Sequence, residues 1–159
     1  MSLRIGFGFD THRLEEGRKL YVGGICIPHH KGAMGHSDAD TLIHAICDAF
    51  LGAIAAGDIG THFPDTDPQY KGMDSKVLLK QVITMTHGQS FFPVNLDCTV
   101  VIEKPRIMPY IREIRECLSG ILEIPVTDIS IKAKTSEKLG FIGREEGVSA
   151  YAVVLLQKR

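Results

Sequence analysis

Apolar and polar positions change period several times along this chain, and each change marks an element. From Leu3 to Asp10 they alternate, with Ile5, Phe7 and Phe9 set against Gly6 and Gly8. That is the two-residue repeat of a strand with one apolar face. Lys19–Val22 and Ile25–Pro28 flank Gly23 and Gly24, which predicts a hairpin. Over Asp38–Ala56 the period lengthens to that of a helix, with Leu42, Ile46, Ala49, Phe50, Ala53 and Ile54 apolar. Ser37 is the expected N-cap, Asp38 and Asp40 suit the positive end, and Gly57-Asp58-Ile59-Gly60 ends the helix.

Thr61–Gly72, rich in Pro, Asp and Gly, predicts a loop of a length often tied to function. Ser75–Thr86, with Val77, Leu78, Val82 and Ile83, predicts a second helix; Pro109–Leu122, with Ile111, Ile114, Leu118 and Ile121, predicts a third. Val94–Glu103, Ile129–Lys134 and Val148–Gln157 predict three further strands. This order points to an α+β fold: a two-layer sandwich of a small mixed β-sheet with helices on one face, close to the ferredoxin-like split βαβ arrangement. At 159 residues the expectation is one catalytic domain over 1–159.

Composition narrows the function. A formal net charge of −1 lacks the basic excess of a general nucleic-acid binder. No run approaches the roughly 18 apolar residues that span a bilayer, so no membrane partner is expected. The N-terminus enters strand-like sequence at Leu3 without a targeting pattern, which suits a cytoplasmic protein. Cys26, Cys47, Cys98 and Cys117 form no C-x-x-C pair and fall in apolar runs, as expected of reduced, buried thiols.

Candidate chemistry starts at Asp10-Thr11-His12. Residues two apart on a strand share a face, so Asp10 and His12 can grip one ion, and His44 on the following helix can supply a third ligand. Three ligands of this type leave a fourth position open on tetrahedral zinc, the pattern of a catalytic site. His36 and Ser37 near the helix start suit a phosphate cradle, although Ser37 can equally serve as a cap alone. Asp65 and Asp67, within Phe63–Pro68, suit either a hydroxylated substrate or hard cation, or ordinary turn chemistry. Lys132–Lys138 leaves a strand into a segment of lysines and hydroxyls that fits phosphate, with Glu137 as a ligand for magnesium; a solvated turn is the alternative.

Taken together, F-D-T-H, G-H-S-D-A-D-T-L-I-H-A-I-C-D-A, G-D-I-G-T-H-F-P-D-T-D-P, K-A-K-T-S-E-K-L-G-F-I-G-R and G-V-S-A-Y-A-V closely resemble the 2-C-methyl-D-erythritol 2,4-cyclodiphosphate synthases. The resemblance runs from Arg4 to about Val154. It implies an enzyme of the non-mevalonate route to isoprenoid precursors, a phosphorus–oxygen lyase. Such an enzyme converts 4-diphosphocytidyl-2-C-methyl-D-erythritol 2-phosphate into the cyclic diphosphate and CMP.

The resemblance also implies roles. Asp10, His12 and His44 match zinc ligands, with Asp10 and His12 also facing substrate. His36 and Ser37 match phosphate-holding positions, and His36 and Thr135 match transition-state stabilisers. Asp58, Ile59 and Gly60 match the methylerythritol pocket, and Phe63, Pro64, Asp65, Thr66 and Asp67 a mobile substrate loop. Ile102, Glu103, Lys104, Pro105, Arg106, Ile107 and Met108 match the cytidine pocket. Lys134, Thr135, Ser136 and Glu137 match the diphosphate end, with Glu137 the ligand of a second ion, magnesium or manganese. Phe141 and Arg144 match positions near substrate and the axis of a homotrimer whose active sites lie between subunits.

Lys134 stands where many members have threonine, and Phe7 where some have histidine beside a central cavity that still carries Arg144 and Glu146. An isoprenoid diphosphate is an expected occupant of that cavity. Two other classes remain open at this point: a zinc-dependent phosphohydrolase, and a non-catalytic isoprenoid-diphosphate binding module lined by Phe7, Phe9 and Arg144.

Overall fold

In the computed structural model, which describes residues 2–159, the first strand, β1 (Leu3–Glu16), runs six residues past its alternating stretch. Its glycines, not its large apolar residues, face the core. A Cβ at Gly6 would lie 1.7 Å from the Ala49 carbonyl oxygen, and one at Gly8 would lie 1.8 Å from that of Ala45. Helix α1 (Thr41–Ala53) therefore rests its backbone directly on β1, which only glycine permits. Ile5, Phe7 and Phe9 are turned to the opposite face, 73%, 62% and 47% exposed. Alternation shows which residues share a face; it does not show which face is covered.

The chain continues through the hairpin β2 (Leu20–Val22) and β3 (Ile25–Ile27), then the short β4 (Lys31–Ala33). After α1 come α2 (Ile59–His62), α3 (Ser75–Gly88), β5 (Phe91–Val101), α4 (Ile111–Leu122), β6 (Ile129–Lys134), α5 (Gly140–Gly143) and β7 (Gly147–Lys158). The five-stranded sheet has the order β4-β1-β7-β5-β6, mixed in direction. β7 lies between β1 and β5, antiparallel to both, while β5 and β6 are parallel and joined through α4. α1 packs on β1 and β7, α3 on α1 and β5, and α4 on β6 and α3.

The expected α+β class with a mixed sheet and a helical layer is what the chain adopts. β1 and β5 run parallel, joined through α1 and α3 with β7 inserted between them, which is the split βαβ arrangement expected; β5 and β6 form a second parallel pair with no strand between. The hairpin and the strand β6 fall where periodicity put them. Three short elements, β4, α2 and α5, were not expected, because three or four residues are too few to display a period.

Asp40, not Ser37, caps α1. Its side chain accepts the N–H of Ile43 at 3.0 Å, and also those of Gly23 at 2.9 Å and Gly24 at 2.7 Å in the β2–β3 turn. One wholly buried carboxylate thus satisfies three backbone donors and ties the hairpin to the helix start. The other helices follow their amphipathic pattern. α3 is capped by Asp74, and α4 buries Ile114, Leu118 and Leu122 before ending at Glu123 in the left-handed region, φ 56°. Of the thiols, Cys47 and Cys98 are buried as expected, but Cys117 is half-buried and Cys26 exposed. A two-stranded hairpin such as β2–β3 has one open side, and Cys26 lies on it. Among the described residues no helix is long and apolar enough to cross a membrane.

A candidate metal centre between strand and helix

The glycine face of β1 continues past Gly8 to Asp10 and His12. On α1, His44 adjoins the Ala45 that touches Gly8, so the close approach of strand and helix brings the three side chains together. Asp10 Oδ2 lies 2.8 Å from His12 Nε2 and 3.1 Å from His44 Nδ1, and the two ring nitrogens are 3.1 Å apart. A tetrahedral zinc with bonds of about 2.0–2.1 Å would space its ligands by about 3.3–3.4 Å, so this triangle closes on an ion with small adjustments. The side chains of Asp10, His12 and His44 are only 27%, 17% and 11% exposed.

The outer nitrogens decide what the inner ones offer. His12 Nδ1 lies 2.7 Å from the Met34 carbonyl oxygen, which can only accept, so Nδ1 carries the proton. Nε2 of the neutral ring then points a lone pair at Asp10. His44 Nε2 is met by the hydroxyls of Ser37 and Ser75, each at 3.0 Å. Two imidazole nitrogens and a carboxylate oxygen aimed at one point suit a divalent cation, which relieves their mutual repulsion. Burial alone would raise the Asp10 carboxyl, but hydrogen bonds and charge from His12 and His44 hold it well below the usual carboxylate range. Burial likewise opposes the charged form of His12, yet the Asp10 hydrogen bond and charge raise it above its ordinary value.

The centre opens into a cavity of about 510 Å³ lined also by His36, Ser37, Ile59, Gly60, Phe63, Pro64, Asp65, Thr66 and Tyr70. His36 Nε2 lies 3.1 Å from the Asp67 carbonyl oxygen, tying the segment before α1 to the expected substrate loop. Asp58 caps α2, accepting Thr61 N at 2.9 Å and Oγ1 at 2.7 Å, and these bonds lower its carboxyl. Asp48 on α1 accepts Ile59 N at 2.7 Å and so fixes α2 beside the cavity. The two loop carboxylates do not act as a pair. Asp67 is used by Gln69, whose backbone N and Nε2 it accepts at 3.0 and 2.6 Å, as turn chemistry requires. Asp65 stays exposed on the cavity wall. The expected loop begins inside the last residues of α2 and holds a 3₁₀ turn at Pro68–Tyr70.

A second pocket of about 160 Å³ is lined by Ile102, Glu103, Pro105, Arg106, Ile107 and Met108, with Lys134 and Thr135 from the end of β6. Lys104 turns away to Glu145 at 3.2 Å, and Ser136 N donates to Glu103 Oε2 at 3.3 Å. Glu137 is exposed, with φ 54°. The two cavities share no lining residue, so the sequence candidates divide into two groups that do not meet within the chain. Phe141 borders a third cavity beside His12, and Arg144 pairs with Glu146 at 2.8 Å. Sequence reasoning missed Met34, Asp38, Asp48, Tyr70 and Ser75. Met34 acts through its carbonyl, for which side-chain identity carries no signal; Asp38 and Ser75 meet across 37 residues, Asp48 holds the backbone of Ile59, and Tyr70 packs edge-on against Phe63.

The chain matches the sequence model of the YgbB family over residues 3–157. The 2-C-methyl-D-erythritol 2,4-cyclodiphosphate synthase of Porphyromonas gingivalis is 57% identical over 153 residues, 96% of this chain and 94% of that one. Among solved structures, the bifunctional IspDF of Campylobacter jejuni superposes with a TM-score of 0.96 at 37% identity; the match covers 99% of this chain and 43% of that longer one. Plasmodium falciparum IspF in a CDP complex superposes with a TM-score of 0.87 at 32% identity, covering 99% of this chain and 97% of that one.

Proposed function

The chain belongs to the YgbB family of 2-C-methyl-D-erythritol 2,4-cyclodiphosphate synthases, and from that premise we propose how its own residues carry out the cyclisation. The reaction is an intramolecular phosphoryl transfer. An oxygen of the 2-phosphate bonds to the β-phosphorus of the diphosphate, the bond from that phosphorus to the bridging oxygen breaks, and CMP leaves with the electron pair. The nucleophile is already an anion, so positioning and charge neutralisation dominate, and no activated serine or cysteine is required. Loss of CMP with ring closure makes the enzyme a phosphorus–oxygen lyase.

The single observation that carries this reading is the convergence of Asp10, His12 and His44 at the head of a cavity with phosphate-holding groups. Zinc held by these three, and magnesium or manganese held by Glu137, would supply Lewis acidity and offset charge between the phosphates. Ser37 and His36 bind phosphate oxygens at the same mouth, His36 by turning its Nε2 proton from the Asp67 carbonyl, 3.1 Å away, to the phosphate. Asp58, with Ile59 and Gly60, receives the methylerythritol hydroxyls. Phe63 to Asp67 close over the substrate. Main-chain groups of Ile102–Met108 hold the cytosine, and Lys134, Thr135 and Ser136 hold the diphosphate, with Thr135 stabilising the transferring phosphoryl group. Lys134 contributes a full positive charge where a hydroxyl is commoner.

The assembly is a homotrimer. Two observations support it: the zinc-side and cytidine-side pockets do not meet in one chain, and the outer face of the sheet is both uncovered and apolar. Phe7 and Phe9 lie 6.5 and 5.1 Å from Tyr151 by ring centroids, forming a patch with Ile5 and Val153 that a neighbouring subunit would bury. The same aromatics suit the apolar tail of an isoprenoid diphosphate on the trimer axis, with Arg144 toward its charge. The expected working place is the cytoplasm. Product identity tests the reaction: CMP released without inorganic phosphate supports cyclisation, whereas inorganic phosphate would make the chain a hydrolase.

A further inference from the structure

We propose that Ser75 and Asp38 are positioning residues for His44, forming a carboxylate–hydroxyl–imidazole chain that sets its ring for metal binding. The inference rests on the metal-centre reading above. His44 Nε2 lies 3.0 Å from both Ser37 Oγ and Ser75 Oγ, and the next contact outward decides between them. Ser75 Oγ makes a short hydrogen bond to Asp38 Oδ1. A carboxylate only accepts, so the Ser75 hydroxyl proton is committed to Asp38, and Ser75 Oγ can only accept from His44. Nε2 therefore carries the ring proton, and Nδ1 presents its lone pair to Asp10 and His12.

The chain is held firmly. Ser75 is wholly buried at the first position of α3, and its backbone N–H donates to the other Asp38 oxygen at 3.0 Å. Water does not reach the serine to compete. Ser37 is affected in turn: a protonated Nε2 cannot accept its hydroxyl, so that O–H is left free for an anionic oxygen in the cavity. The two histidines are thus set differently. A backbone carbonyl fixes His12, beyond the reach of substitution, whereas side chains fix His44.

The test uses the full chain. Zinc affinity is measured by competition with a chromophoric chelator, and the visible spectrum of the cobalt-loaded protein reports ligand geometry. Ser75→Ala is expected to weaken zinc binding by about 10–100-fold and to alter the cobalt bands. Asp38→Asn is expected to do the same, and the double variant to lose no more than either alone, since both act through one chain. Unchanged zinc affinity and cobalt spectrum in Ser75→Ala would overturn the proposal, as would additive losses in the double variant. A wild-type chain that binds no zinc would instead overturn the metal-centre reading beneath it.

Discussion

A side chain on Gly8 would meet the carbonyl oxygen of Ala45 at 1.8 Å, so strand β1 and helix α1 touch backbone to backbone next to the candidate metal centre. Gly8 precedes Asp10 by two residues on the same face, and Ala45 follows His44. This contact therefore sets the gap that the three candidate ligands bridge.

Gly8→Ala is expected to push α1 from β1 and widen that gap. Overpacking costs about 1–3 kcal/mol, and the rigid backbone on both sides favours the upper end. Urea unfolding should show the loss, and zinc titration of the folded fraction should show weaker binding. Normal affinity in the variant would mean that the gap does not set the site.

Much of this site could be read from residue order, and the limits were physical. Asp10 and His12 were legible as a pair because strand geometry places residues two apart on one face. The direction of that face was not legible: Ile5, Phe7 and Phe9 are the apolar set, yet they point outward, because the glycines admit a helix backbone closer than side chains would. Ser37 had the right residue type for a cap, but Asp40 took the role by reaching two hairpin amides as well. The separation of the cavities, with His44 lining one and Thr135 the other, follows from topology that a linear pattern does not contain.

Asp40→Ala should leave the N–H groups of Gly23, Gly24 and Ile43 without their buried acceptor. At about 1–3 kcal/mol for each orphaned donor, with partial relaxation, the total loss should reach roughly 3–5 kcal/mol. The denaturant midpoint reads this directly; a loss below about 1 kcal/mol would show that the carboxylate is dispensable to the fold.

Phe9→Glu places a charge on the uncovered sheet face, 5.1 Å from Tyr151 by ring centroids in the native chain. Sedimentation should then show monomer in place of trimer, while the isolated chain still binds zinc. CMP release should fall to near background, since the proposed trimer is what would join the two pockets. A trimer of normal activity would place the subunit contact elsewhere.

Zinc affinity should fall in acid from a pH above 6.5, the ordinary imidazole value, because Asp10 raises His12 despite the opposing effect of burial. The sign follows from competition: binding needs neutral imidazole, and below the raised value each unit fall in pH adds protons that must be displaced. Asp10→Asn removes the raising charge, leaves burial dominant, and should move the onset of proton competition to lower pH even as overall affinity drops. Affinity measured across pH in both proteins checks this, and an unmoved onset would deny the coupling.

The most direct test of the metal-dependent cyclisation pairs two readings on one sample of His44→Ala: bound zinc by elemental analysis, and CMP released from 4-diphosphocytidyl-2-C-methyl-D-erythritol 2-phosphate. A folded protein that has lost both zinc and most CMP release is the predicted result. A variant that keeps bound zinc and near-normal CMP release would contradict it.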